Sequence, residues 1–132
     1  MEFAFHTVNW VRTVARIIAS VWAAFWMYFG IASGIGEGMA LVGVLMHILL
    51  PGLVFVGIAA FAWRWQLHGA IVLILSGVVV LVGYPLLAGH RFPLATVIFV
   101  LLTMALPPLI SGVLLFVDAR KDEKRLPFKT ED

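Results

Sequence analysis

The chain has no cysteine and few charges: Asp, Glu, Lys and Arg make up 12% of its 132 residues, about half of the ~25% usual in a soluble domain. The first absence excludes disulfides, thiol nucleophiles and thiolate metal sites. The second leaves too little polar surface for a water-soluble fold. Charge is missing over whole segments, since residues 17–36, 38–63, 65–90 and 92–117 contain none of these four residue types. Enzyme signatures are missing too. There is no glycine-rich phosphate loop after a strand, no HExxH, no serine elbow and no acidic pair inside an apolar run. The expectation is a protein that is not an enzyme and holds neither cofactor nor metal.

What fills the uncharged segments is apolar. Hydrophobic residues reach 63% and the mean hydropathy is +1.07. A helix needs about 20 apolar residues to cross roughly 30 Å of hydrocarbon, so four uncharged segments predict four spans, near 12–34, 41–63, 69–87 and 94–117. The expected fold class is an all-α membrane protein, a single four-helix transmembrane domain over 1–117 arranged as an antiparallel bundle, with a short charged tail at 118–132. A soluble bundle would need polar outer faces, whereas LVGVLMHILLPGLVFVGIAAFAW is apolar around the whole helical wheel. The first apolar run is long for a cleaved signal and carries Trp22, Trp26, Tyr28 and Phe29, which favours a retained span.

Basic residues set the orientation. Arg12 and Arg16 lie at the N-terminal end of the first span, Arg64 lies in the second connection, and Arg120, Lys121, Lys124, Arg125 and Lys129 follow the fourth span. Only Arg91 falls on the other side. The positive-inside rule places both termini in the cytoplasm. In FAWRWQLHG, Phe61–Gly69, the indoles of Trp63 and Trp65 suit headgroup depth and Arg64 can reach phosphates, so Trp63, Arg64, Trp65 and Arg16 are predicted interface anchors. Gly69 is expected to let the chain restart as a helix. Glu37, between two glycines in a loose turn, and Arg91 are the outer-surface charges; Glu37 is expected to be solvated, or else to pair with Arg91 or His90 or guard an entrance.

Arg16, the GEG of Gly36–Gly38, Pro51, the AWRW of Ala62–Trp65, Gly69, the Phe92–Pro93 pair and the LPPLISG of Leu106–Gly112 are together similar to a family of small prokaryotic four-span membrane proteins of unknown function. The similarity runs over nearly the whole chain apart from the tail. It implies a multi-pass protein of the prokaryotic plasma (inner) membrane and no activity. Where the family pattern has an acidic residue after AWRW, this chain has Gln66.

Inside the spans, Pro51 and the pair Pro107–Pro108 each remove a backbone donor and are expected to kink their helices, freeing the carbonyls of His47, Thr103 and Met104. In hydrocarbon those carbonyls need partners from protein or water, so these segments are predicted to face the bundle interior. His47 is the one titratable group expected well inside the membrane, with Ser76, Tyr84 or Thr103 as its partner. It is either a packed, hydrogen-bonded histidine or a step on a polar path. The second and fourth spans align proline on proline, Pro51 with Pro107, which is compatible with a duplicated helix pair. Ala15, Ala19 and Ala23 recur every fourth residue and suit close helix packing, with Trp22 and Trp26 expected on the opposite side, toward lipid or a partner. In the tail, Asp118 and Asp122 are expected beside Lys121 and Arg125 on a helical extension ended by Pro127. The balance of five basic and five acidic residues in DARKDEKRLPFKTED argues against a nucleic-acid arm.

Two functions fit. One is a structural or accessory subunit that packs within the membrane against further copies of itself or a larger complex. The other is a small oligomeric transporter or channel using His47 and the kinked helices. The small multidrug exporters are also short four-span chains but carry an acidic residue inside the first span, which is absent here. The first function is the expectation, with the lipid bilayer and a membrane assembly as partners.

Overall fold

The computed structural model describes residues 3–88 and 90–125, with the side chains among them except those at 3–9, 51 and 125. Six α-helices account for most of the chain: α1 Phe3–Gly36, α2 Leu41–His47, α3 Val54–Arg64, α4 Gln66–Ala88, α5 Leu94–Val100 and α6 Leu106–Arg125. Wide π-turns at Ile48–Leu53 and Leu101–Ala105 join α2 to α3 and α5 to α6. The result is four long rods, and four stretches are long and apolar enough to cross a membrane: Trp10–Gly36, Leu41–Arg64, Gln66–Ala88 and Leu94–Lys124. The part of the tail expected beyond Pro127 lies outside the described residues.

Both irregular turns go with prolines: Pro51 lies within the first, and Pro107 follows the second. Leu50 has φ −124° and ψ 111°, an extended conformation inside an otherwise helical run, because the ring of a following proline clashes with a helical residue before it. Ahead of Pro107, the chain widens instead, and the Leu106 N–H bonds the Leu101 carbonyl five residues back. The two proline segments of the second and fourth rods therefore break the helix at matching places in different ways.

Rod ends are closed locally. After α1, Gly38 takes φ +62°, the Met39 N–H reaches Gly34 O at 3.3 Å and the Gly38 N–H reaches Ile35 O at 3.0 Å. This is the Schellman closure that glycine permits, so GEG is an ordered cap and not the loose turn expected from its glycines. Between α3 and α4 the chain reverses on the single extended residue Trp65.

Packing between rods relies on small residues. On α1 the buried positions Ala15, Ala19, Trp22, Ala23 and Trp26 form one stripe at three- and four-residue steps. The placing of Trp22 and Trp26 opposite the alanines is therefore corrected. At about 100° per residue, positions 22 and 26 fall between the alanines on the same face. Phe55 stacks on Trp22 at 4.3 Å and meets Trp26 edge-on at 6.4 Å. These rings form one layer with Ala59, Ala62, Ala70, Leu73 and Leu115. The kinked second rod lies against α1 at glycines from both sides: Gly30 beneath the His47 carbonyl, Gly34 against Val44, and Gly52 against Met27. Gly69 faces the Ala62 backbone. It allows α3 and α4 to approach closely, a different role from the helix restart expected for it. The α4–α6 contact has the same character, with Gly77 beside Ala105 O and Gly112 beside Ala70 O.

A side chain at Gly77 would place Cβ 2.8 Å from Ala105 O, whereas Gly57 has nothing within 4 Å. Gly77→Val is expected to cost about 1–3 kcal/mol, seen as a lower thermal unfolding midpoint by circular dichroism in micelles, with Gly57→Ala, inside α3, not lowered. Equal midpoints would mean that the α4–α6 approach does not hold the bundle.

Candidate functional site

The densest polar cluster lies where four rod ends gather: the start of α1, the end of α3, the start of α4 and the end of α6. Arg12 donates from Nε to Asp118 Oδ2 at 2.9 Å and from Nη2 to Asp122. Gln66 donates from Nε2 to the same Asp118 oxygen at 2.6 Å and lies 3.4 Å from the Leu115 carbonyl. Asp118 is 2% exposed. A buried carboxylate persists only when both its charge and its lone pairs are matched. The guanidinium matches the charge and the amide adds a second donor, which an ionised carboxylate at position 66 could not supply.

The expectation that Asp118 and Asp122 sit with Lys121 is corrected here, and the Arg125 side chain lies outside the described residues. Both carboxylates turn to Arg12, 106 and 110 positions away. Being four residues apart, they share the α6 face that meets α1. On the other face of α6, Arg120 pairs with Glu123 at 3.3 Å in solvent.

One turn along α1, Arg16 donates from Nη2 to Trp63 O at 3.1 Å, and its guanidinium carbon lies 5.1 Å from the centre of the Trp63 ring. The Trp63 indole in turn donates to Ser20 Oγ at 3.1 Å. Arg64 sits 5.6 Å from the centre of the Trp65 ring, and both residues are exposed. The four anchor residues thus form two cation–π pairs at this end. The Arg16 Nε and the Trp22 indole nitrogen are buried without a hydrogen-bond partner among the described residues.

The intramembrane residues singled out from sequence do not form a joint site. His47 Nδ1 bonds Gly43 O at 3.3 Å, Ser76 Oγ bonds Leu73 O at 2.8 Å and Thr103 Oγ1 bonds Phe99 O at 2.7 Å. Each therefore returns to a carbonyl on its own rod, and Tyr84 joins none of these bonds. The bonds that cross the interior end on backbone carbonyls instead. Trp26 Nε1 donates to Thr103 O at 3.0 Å, one of the carbonyls expected to be freed by the Pro107–Pro108 pair. Ser111, fully buried, donates to Ala15 O at 2.7 Å. Glu37 and Arg91 are exposed, and no ion pair joins them among the described residues.

Sequence reasoning did not assemble Arg12, Gln66, Asp118 and Ser111. The one available signal was an acidic pair at four-residue spacing just past a span, with two arginines near the opposite end of the chain. Among the described residues no group of three His, Asp or Glu is placed to hold a metal. A family model described as "Domain of unknown function (DUF7670)" matches residues 5–127. No curated protein and no solved structure matches the chain.

Arg12→Leu leaves the buried Asp118 without its cation and is expected to cost about 3 kcal/mol. Arg120→Ala, which removes an exposed pair, should cost less than about 0.5 kcal/mol. The double variant R12L/D118L should recover much of the first loss, since no isolated charge then remains buried. Denaturant unfolding in micelles checks all three, and similar losses for Arg12 and Arg120 would refute the cluster's role.

Proposed function

The chain belongs to the DUF7670 family, whose description carries no activity; from that premise we propose a non-enzymatic structural or accessory subunit that packs within a membrane. The observation that carries this reading is where the interior polar groups go. Trp26 and Ser111 bond backbone carbonyls of neighbouring rods, Arg12 and Gln66 hold Asp118, and His47, Ser76 and Thr103 bond their own helices. The bonds of Trp26, Ser111, Arg12 and Gln66 hold the bundle together and the other three are satisfied within single rods, whereas an ion path would need polar groups lining a common space. The outer surface is apolar along all four rods, with Val21, Val42, Val79 and Leu94 each more than half exposed. That surface suits lipid and the helices of a membrane assembly, whether further copies of this chain or another protein.

The proposed setting is the prokaryotic plasma (inner) membrane with both termini cytoplasmic. Supporting it, Arg12, Arg16, Arg64 and Arg120 lie at the end where the Arg12–Asp118 cluster and the two tryptophan pairs stand, and Arg91 lies in the connection between α4 and α5. Positive charge in short flanking segments marks the cytoplasmic side.

Mild extraction through a C-terminal tag followed by native mass spectrometry should return a stoichiometric membrane partner or a defined oligomer of this chain. In proteoliposomes, His47→Ala is expected to leave ion and solute permeability unchanged and to lower thermal stability slightly. A flux carried by the wild type and abolished by His47→Ala in a folded protein would overturn the subunit reading in favour of a small transporter.

A further inference from the structure

Between α1 and α3 runs an open groove of about 720 Å³, floored by Ala23 and Ala59 and walled by Met27, Tyr28, Val56 and Trp63. We infer that this groove holds one acyl chain of an anionic phospholipid whose headgroup is bound by Arg16. The inference is independent of the subunit reading, because a lipid can occupy the groove in any assembly.

Three observations point to this occupant. The first is length. Along α1 the lining runs from Ser20 to Ile31, about 16 Å at 1.5 Å per residue, which is half of a ~30 Å hydrocarbon core and so the depth of one leaflet. A helix from a second copy would cross both leaflets and would ask for a groove about twice as long. The second is polarity along the groove. Ser20 and Trp63, bonded to each other at 3.1 Å, close the end next to Arg16, while the far end is reached through Met27, Tyr28 and Ile31. A molecule with one charged end and one apolar end fits in a single orientation.

The third is the state of Arg16. Its guanidinium carbon lies 5.1 Å from the Trp63 ring centre and one amino group is used on the Trp63 carbonyl. It makes no ion pair with any described residue, in contrast to Arg12 one turn before it. The Nε is buried without a hydrogen-bond partner among the described residues. The residue therefore brings an uncompensated positive charge to the headgroup end of an apolar slot, and a phosphodiester supplies the matching anion with several acceptor oxygens. Small floor residues matter because an alanine leaves the width that an acyl chain fills, and Ala24 and Ala60 keep the rim low.

The test is native mass spectrometry of the full chain, with phosphatidylglycerol and phosphatidylcholine of identical acyl chains added in equal amounts. Wild type should retain one phosphatidylglycerol in preference to phosphatidylcholine by about fivefold, the equivalent of about 1 kcal/mol for one arginine at the surface. Arg16→Gln should abolish the preference, and Arg64→Gln, whose charge stands over Trp65, should keep it. Ala60→Phe, at an exposed rim position, should reduce retention of both lipids without lowering the unfolding midpoint. Equal retention of the two lipids by wild type, or equal losses from the Arg16 and Arg64 variants, would mean general surface attraction and overturn the proposal. A lipid-free dimer that Ala60→Phe dissociates would overturn it too, by assigning the groove to a second copy.

Discussion

A carbonyl released by proline inside hydrocarbon has to find a partner within the protein, and that requirement organises the interior of this bundle. The Thr103 carbonyl receives the Trp26 indole, which draws a tryptophan to the centre. Once Trp26 is there, Trp22 lies one turn away on the same face, and Phe55 from the second rod stacks on Trp22 and meets Trp26 edge-on. The His47 carbonyl is accommodated differently, against Gly30, where the absence of a side chain allows the kinked rod to close on α1. Two prolines thus explain both the aromatic centre and the glycine seam beside it.

The end of the bundle obeys a related constraint with charge in place of a dipole. Asp118 is buried, so it must be neutralised and hydrogen-bonded. Arg12 and Gln66 meet both needs from two other rods. The first, third and fourth rods are therefore tied at one end by a single oxygen, while Arg16 and Trp63 tie the first to the second. With Ser111 joining α6 to α1 at Ala15 and Trp26 reaching Thr103 O further in, polar contacts at several depths fix how the rods sit, and alanine and glycine set how closely they approach.

Such an interior holds the fold together and leaves the outer face for interaction. The anchors and the α1–α3 groove lie on that face, next to a positive charge that the bundle itself does not match. Recognition by lipid or by neighbouring helices is the natural use of a surface whose polar features are confined to its ends.

Four uncharged segments were enough to read four spans, since hydrocarbon admits only helices with few charges and penalises each exception heavily. Helix breaks were legible at Pro51 and Pro107 because the loss of an N–H is written in the residue itself, although α4 runs unbroken through Pro85. Which face of α1 carried Trp22, and whether Gly69 opened a helix or admitted a neighbour, depended on what stood opposite. The same holds for Asp118, whose partner is 106 positions away, and for His47, which bonds its own rod as do Ser76 and Thr103 among its expected partners. The sequence by itself determined the spans and their breaks, because hydropathy and backbone donors are local properties of the chain. Only the tertiary structure decided the pairings, because a buried charge or a freed carbonyl takes the donor that packing brings within 3 Å, whatever its distance along the chain.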